Sequence, residues 1–167
     1  MRLIRTATIA AAIVVTVALV PQQAQATSWY SNARKACAGS SHVMLCYHNQ
    51  TRQMAGLPPL RLGWRLHTSA QAKRLRILQC GRVIHEPCGD PWVRPFYQAH
   101  YLPTPCRWLV GENLAWDWAS TWAAFTGLMQ SPTHRANILN SLFRGFGVSH
   151  SASPWGELWV IHYGRRC

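Results

Sequence analysis

The chain has 167 residues, six cysteines, and 17 Lys and Arg against five Asp and Glu, which gives a formal net charge of +12. That length suits one ordinary domain able to bury a real core. After the N-terminus no apolar run reaches membrane-spanning length, and the cysteine spacing matches no compact zinc module with paired C-x-x-C knuckles.

Residues 1–26 read as an export signal. Arg2 and Arg5 give a positive start, Ala7 to Val20 is almost wholly apolar, and Ala24-Gln25-Ala26 is a small-x-small cleavage site. The apolar core is too short, and is followed too soon by Pro21, to favour a spanning helix. All six cysteines (Cys37, Cys46, Cys80, Cys88, Cys106 and Cys167) follow the cleavage site. An even count in an exported chain reads as disulfides, with about 15 pairings open to six cysteines.

Residues 27–39 show no periodicity and are expected to form an N-terminal arm ahead of a single domain over 40–167. Ser40 or Ser41 is placed to cap a first helix reaching about Ala55, where Gly56 supplies a stop. Val43, Cys46, Tyr47, Gln50 and Met54 share one face of it, and Gly56-Leu57-Pro58-Pro59-Leu60 is a rigid turn. A second helix is predicted from Trp64 to Gln79, with Trp64, Thr68, Ala72 and Leu75 inward and Arg65, Lys73 and Arg76 turned elsewhere. Basic residues gather here: Arg61, Arg65, Lys73, Arg74, Arg76 and Arg82. Such a surface attracts polyanions. Outside a cell these are anionic lipid, cell-wall polymers and acidic glycans, with nucleic acid a poor match to that compartment.

Cys80 to Arg107 holds five prolines and three cysteines, so its order is expected to come from crosslinks and packing. His85 lies in it, followed by Glu86. Gly111-Glu112-Asn113 then precedes an aromatic run, and Glu112 needs a partner in so basic a chain. Backbone amides of a turn or a histidine brought close by folding are the two choices. A third helix starts at Ser120 and carries Trp122, Phe125, Leu128 and Met129. Ser131-Pro132 opens a short helix that puts His134 in its first turn, where the helix terminus disfavours imidazolium. Phe143 to His150 and Glu157 to Tyr163 read as antiparallel strands.

With these residues in view, the chain resembles the CAP superfamily of cysteine-rich secretory, antigen 5 and pathogenesis-related proteins, in its secreted bacterial form. Leu45, Asn49 and Arg52, then Gly56-Leu57-Pro58-Pro59-Leu60, resemble the bacterial first-helix motif. Gly111-Glu112-Asn113, Ser131-Pro132-Thr133-His134-Arg135-Ala136-Asn137-Ile138-Leu139 and Gly145-Phe146-Gly147-Val148 follow in the family's order. The resemblance implies an α+β fold, the CAP-type α-β-α sandwich with a small antiparallel sheet flanked by helices. It also implies a cleft holding His85, Glu112 and His134, the two histidines being the zinc ligands of some members. The second acid of animal and plant members falls near Ser131 and is missing here. Asp117 lies at a different spacing, and Glu86 is a local replacement to weigh, beside His85 where the usual Phe-Ser-His-Thr reads Val83-Ile84-His85-Glu86.

Two functions of different class follow. One is a secreted binding protein that engages lipid, cell-wall polymer or a partner protein through the His/Glu-lined cleft and the basic surface. The alternative is a zinc-dependent hydrolase in which His85 and His134 hold the metal, with Glu112 or Glu86 as catalytic candidate. Serine or cysteine nucleophile chemistry has no support, since no GxSxG occurs and the cysteines are expected to pair.

Overall fold

The protein is described by a computed structural model over residues 32–103 and 107–166. The export signal, the start of the arm, Cys106 and Cys167 lie outside the described residues. Helix α1 (Val43–Met54) stops where Gly56 turns to a φ of +67°, a conformation open to glycine. Two of its side chains explain the first-helix motif. Asn49 donates to the Leu60 carbonyl at 3.0 Å and accepts from the Leu60 amide at 2.8 Å, clasping the proline turn. Arg52, fully buried, donates to the carbonyls of Pro58, Ile138 and Asn140.

The turn leads into strand β1 (Arg61–Leu62) and helix α2 (Trp64–Cys80), which ends at Gly81 in the left-handed conformation. The proline-rich stretch contains only a 3-10 turn (Pro87–Gly89) and helix α3 (Arg94–Gln98). Strand β2 (Leu109–Trp116) precedes helix α4 (Thr121–Gln130), whose Ser120 cap accepts from the Ala123 amide at 3.1 Å. Helix α5 (Pro132–Ile138) starts on Pro132 as the sequence implies, but Ser131 makes no side-chain cap. Strands β3 (Gly145–Ser153) and β4 (Gly156–Arg165) close the described chain. No helix among the described residues is long and apolar enough to cross a membrane.

The sheet runs β1-β3-β4-β2, with β1 parallel to β3 and the other pairs antiparallel. Strand alternation then sorts the side chains into two layers. Trp159, Ile161 and Tyr163 face a core built with α1, α4 and α5, while Leu158 and Val160 meet Ala70 and Ile77 of α2 on the opposite face. This is the expected α-β-α sandwich. Close approach of α2 to the sheet depends on Gly147, where an added Cβ would lie 2.1 Å from the Leu66 carbonyl carbon.

Three local expectations change. The inward stripe of α2 is Leu66, Ser69, Ala70, Lys73 and Ile77, whereas Trp64 is 68% exposed and Leu75 also faces solvent. The sheet presents polar groups to that helix, so a serine and a lysine outrank two large apolar residues. Lys73 therefore leaves the basic surface, Arg76 is paired with Asp90, and Arg74 bonds Ser149 and Ser151. Within the arm, residues 32–36 are helical, and a Cys37–Cys46 disulfide ties it to α1. The second described disulfide, Cys80–Cys88, joins the end of α2 to the loop that carries His85.

Candidate functional site

Glu112 sits on β2 opposite His162 of β4, and both point toward α2. Its Oε2 accepts from His162 Nε2 at 2.8 Å, and its Oε1 accepts from His85 Nδ1 at 2.7 Å. Lys73 Nζ lies 3.2 Å from the same Oε1, with both side chains only 1% exposed. Burial alone would raise this carboxyl, but hydrogen bonds from His162 and His85 and the charges of His162 and Lys73 bring it down to about 2. Glu112 is a fixed anion held on every side by protein.

Ser69 Oγ is 2.6 Å from His162 Nδ1 and 2.8 Å from the Leu66 carbonyl oxygen. Ser69, His162 and Glu112 thus form a serine–histidine–acid chain, yet Ser69 and His162 are fully buried and Phe96 stacks on the imidazole at 4.2 Å. No substrate reaches that hydroxyl. The chain positions Glu112, and through it His85. Lys73 acts on the same loop by also donating to the His85 carbonyl oxygen. His85 itself is 54% exposed; with Nδ1–H committed to Glu112, its Nε2 is the nitrogen left for the cleft.

His134 stands on α5, in the other layer, and lines a groove with Leu114, Trp116 and Ser131. Asn113 donates to the His134 carbonyl at 3.0 Å, while Asn137 donates to the Glu112 carbonyl at 3.1 Å and to Asn113 Oδ1 at 2.8 Å. These two asparagines lock β2 to α5. The His134 imidazole is lowered below its ordinary value by burial and then by the charge of nearby His85. The direction matches the sequence expectation, but its causes are burial and a neighbour rather than the helix end.

A histidine loop, a strand carrying a buried glutamate and a His-Arg-Ala-Asn helix follow one another in the chain in the order the family comparison matches. Residues 45–163 match the family model described as the cysteine-rich secretory protein family, CAP. The chain belongs to the CAP family. The uncharacterized protein YkwD of Bacillus subtilis (strain 168) is 27% identical over 148 residues, which is 89% of this chain and 56% of that protein's length. The solved extracellular SCP-domain protein of Bacillus anthracis has a TM-score of 0.64 at 20% identity, over 90% of this chain and 45% of its own. A solved outer surface protein of Borrelia burgdorferi has a TM-score of 0.62 at 15% identity, over 89% of this chain and 97% of its own. At these identities the two structures speak for the fold.

The remaining acids of this CAP domain lie elsewhere. Glu86 is exposed at the start of the 3-10 turn, where its carbonyl accepts from the Gly89 amide at 3.1 Å but its carboxylate makes no cap. Asp117 follows β2 with φ +61°, and Ser131 stands beside His134 along a groove of about 510 Å³. A second groove, of about 370 Å³, contains Arg76 and Arg94, but both are already paired with Asp90, and neither candidate histidine lines it. Among the described residues no group of three or more His, Cys, Asp or Glu is placed to hold a metal. Zinc held by His85, Glu112 and His134 together does not fit a carboxylate whose two oxygens are taken by His85, His162 and Lys73. The donors left are the two histidines, with Glu112 as the hydrogen-bonding support behind one of them.

The helical pattern turns Lys73 outward, and no local motif in the sequence singles out His162 or Ser69. A histidine on the apolar face shared by Leu158 and Val160 was the available signal, since a buried imidazole needs a partner.

Proposed function

We propose that this CAP domain is secreted and binds an extracellular ligand (lipid, cell-wall polymer or partner protein) through the cleft that His85 and His134 flank. The N-terminal export pattern and two disulfides support secretion. The observation that carries the binding reading is the immobilised Glu112. A general base must accept a proton near working pH from a group in the cleft. Glu112 is instead held at about 2 and faces Lys73, His85 and His162. Its contribution is to orient His85, which suits a preformed recognition surface better than the hydrolase alternative.

Sedimentation of the purified mature protein with wall fragments, and separately with anionic vesicles, tests this. Binding should fall at least about tenfold in a His85→Ala/His134→Ala double variant that keeps its melting temperature, the loss of roughly one good polar contact. Undiminished binding by the double variant would remove the cleft from the reading. Metal-dependent turnover of an ester or peptide, lost in the same variant, would favour the hydrolase.

A further inference from the structure

We propose that the groove at the end of β2, walled by Trp116, Asp117 and Trp118, is a binding site for an organic ammonium group. This deepens the cleft reading and rests on it, because His134 lines the same groove. Among the described residues Trp64, Trp108, Trp116 and Trp118 are the exposed indoles, and Trp116 and Trp118, at 45% and 38%, line this one groove. Asp117 lines the groove with them, and among the described residues its carboxylate has neither hydrogen bond nor ion pair. No Lys or Arg lines the groove, although the chain carries 17 of them. A free carboxylate and two exposed indoles lining one groove give a local negative field on a basic protein. Indole faces attract cations through their quadrupole and tolerate the methyl or methylene groups around the nitrogen.

The site is built rather than incidental. Gly127, inside α4, leaves room for the Trp118 ring: a Cβ there would meet Cζ2 at 2.4 Å. Glycine weakens a helix interior, so this position gives up helix propensity to seat an exposed ring. Asp117 is fixed in turn. Its amide donates to the Glu157 carbonyl at 3.1 Å, and Gly156 at φ +87° packs against it, where a Cβ would lie 3.0 Å from Asp117 Oδ1.

Choline is the probe, with its neutral carbon isostere 3,3-dimethyl-1-butanol as control, both read by tryptophan fluorescence. Choline should saturate with a Kd on the order of millimolar and bind about tenfold more tightly than the isostere, as expected for a cation over indole beside one carboxylate. Asp117→Asn should erase most of that preference, and Gly127→Ala, which displaces the ring, should weaken choline while circular dichroism shows an intact fold. Equal binding of choline and the isostere, unchanged choline affinity in Asp117→Asn, or no saturable signal would each overturn the assignment. So would an N-acetylglucosamine oligomer that binds alike in the wild type and Asp117→Asn while choline does not bind. Should choline fail while the histidine variants still lose adhesion to walls or vesicles, this assignment falls and the cleft reading stands.

Discussion

Lys73 Nζ and Glu112 Oε1 lie 3.2 Å apart in the protein interior, and the same ammonium also holds the backbone carbonyl of His85. One lysine on α2 therefore couples the buried acid to the loop that presents the cleft histidine. Removing one partner of a buried pair leaves an uncompensated charge, which typically costs about 3–5 kcal/mol. Lys73→Met should lose that much in urea denaturation. Glu112→Gln added to it removes the stranded charge, so the double variant should be more stable than Lys73→Met alone. A double variant that is worse by the full sum of the single losses would refute the coupling.

The Cys80–Cys88 disulfide should act on His85 and leave the core alone. It closes a loop with a sequence separation of 8 that contains His85, and neither sulfur belongs to the large apolar cluster of the sheet's other face. A Cys80→Ser/Cys88→Ser variant is expected to lose about 2 kcal/mol, the low end for a short crosslinked loop. Amide exchange should rise over residues 82–90 and stay unchanged in β3 and β4. Protection lost evenly across the sheet would mean that the crosslink supports the fold rather than the site.

Much of this architecture is legible from the residues. Ser120, Pro132 and the β-branched and aromatic run at Trp159–Tyr163 mark their elements because capping, a fixed φ and strand packing are local effects. The family motifs single out His85 and Glu112, which the fold joins by a hydrogen bond. What stays hidden is tertiary. The inward face of α2 cannot be read from its own apolar residues, because Lys73 and Ser69 are buried to meet Glu112 and His162, 39 and 93 residues away along the chain. Strand β2 is obscured for the same reason: Gly111-Glu112-Asn113 has poor strand propensity, and partners on β4 and α5 hold it extended.

Acid should destabilise the protein in two stages. His48 is fully buried, donates from Nδ1 to the Met44 carbonyl at 2.7 Å and accepts at Nε2 from the Tyr163 hydroxyl at 2.8 Å. Burial, with the charge of Arg52, lowers its pKa to about 4 despite the bond to Met44. Between 6.5 and 4 the unfolded chain binds the proton that the folded chain refuses, so stability is full above 6.5 and falls through that window by on the order of 3 kcal/mol. His162, also lowered by burial, adds in the same direction. Glu112, down from 4.5 to about 2, then gives up its share as pH falls through that lower range. Urea midpoints from pH 7.5 to 3 should show both stages, with the upper one shallower in His48→Asn. A midpoint that stays flat from pH 7 to 4.5 would contradict a neutral buried His48.

Zinc tests the division of labour between the histidines and Glu112. With Nδ1–H given to Glu112, His85 offers Nε2, and His134 is kept neutral below its ordinary 6.5 by burial and by His85. Two imidazoles without a third protein donor make a weak site, so calorimetry at pH 7.5 should find one zinc bound far less tightly than in a closed four-ligand site. His85→Ala and His134→Ala should each remove the binding. Glu112→Gln should weaken it by about 10–100-fold and leave it measurable, because the carboxylate supports a ligand without being one. Complete loss in Glu112→Gln, with the fold intact, would make the carboxylate a direct ligand and contradict the placement of its oxygens on Lys73, His85 and His162. Zinc uptake unchanged in both histidine variants, or no uptake by the wild type, would detach the metal from this cleft.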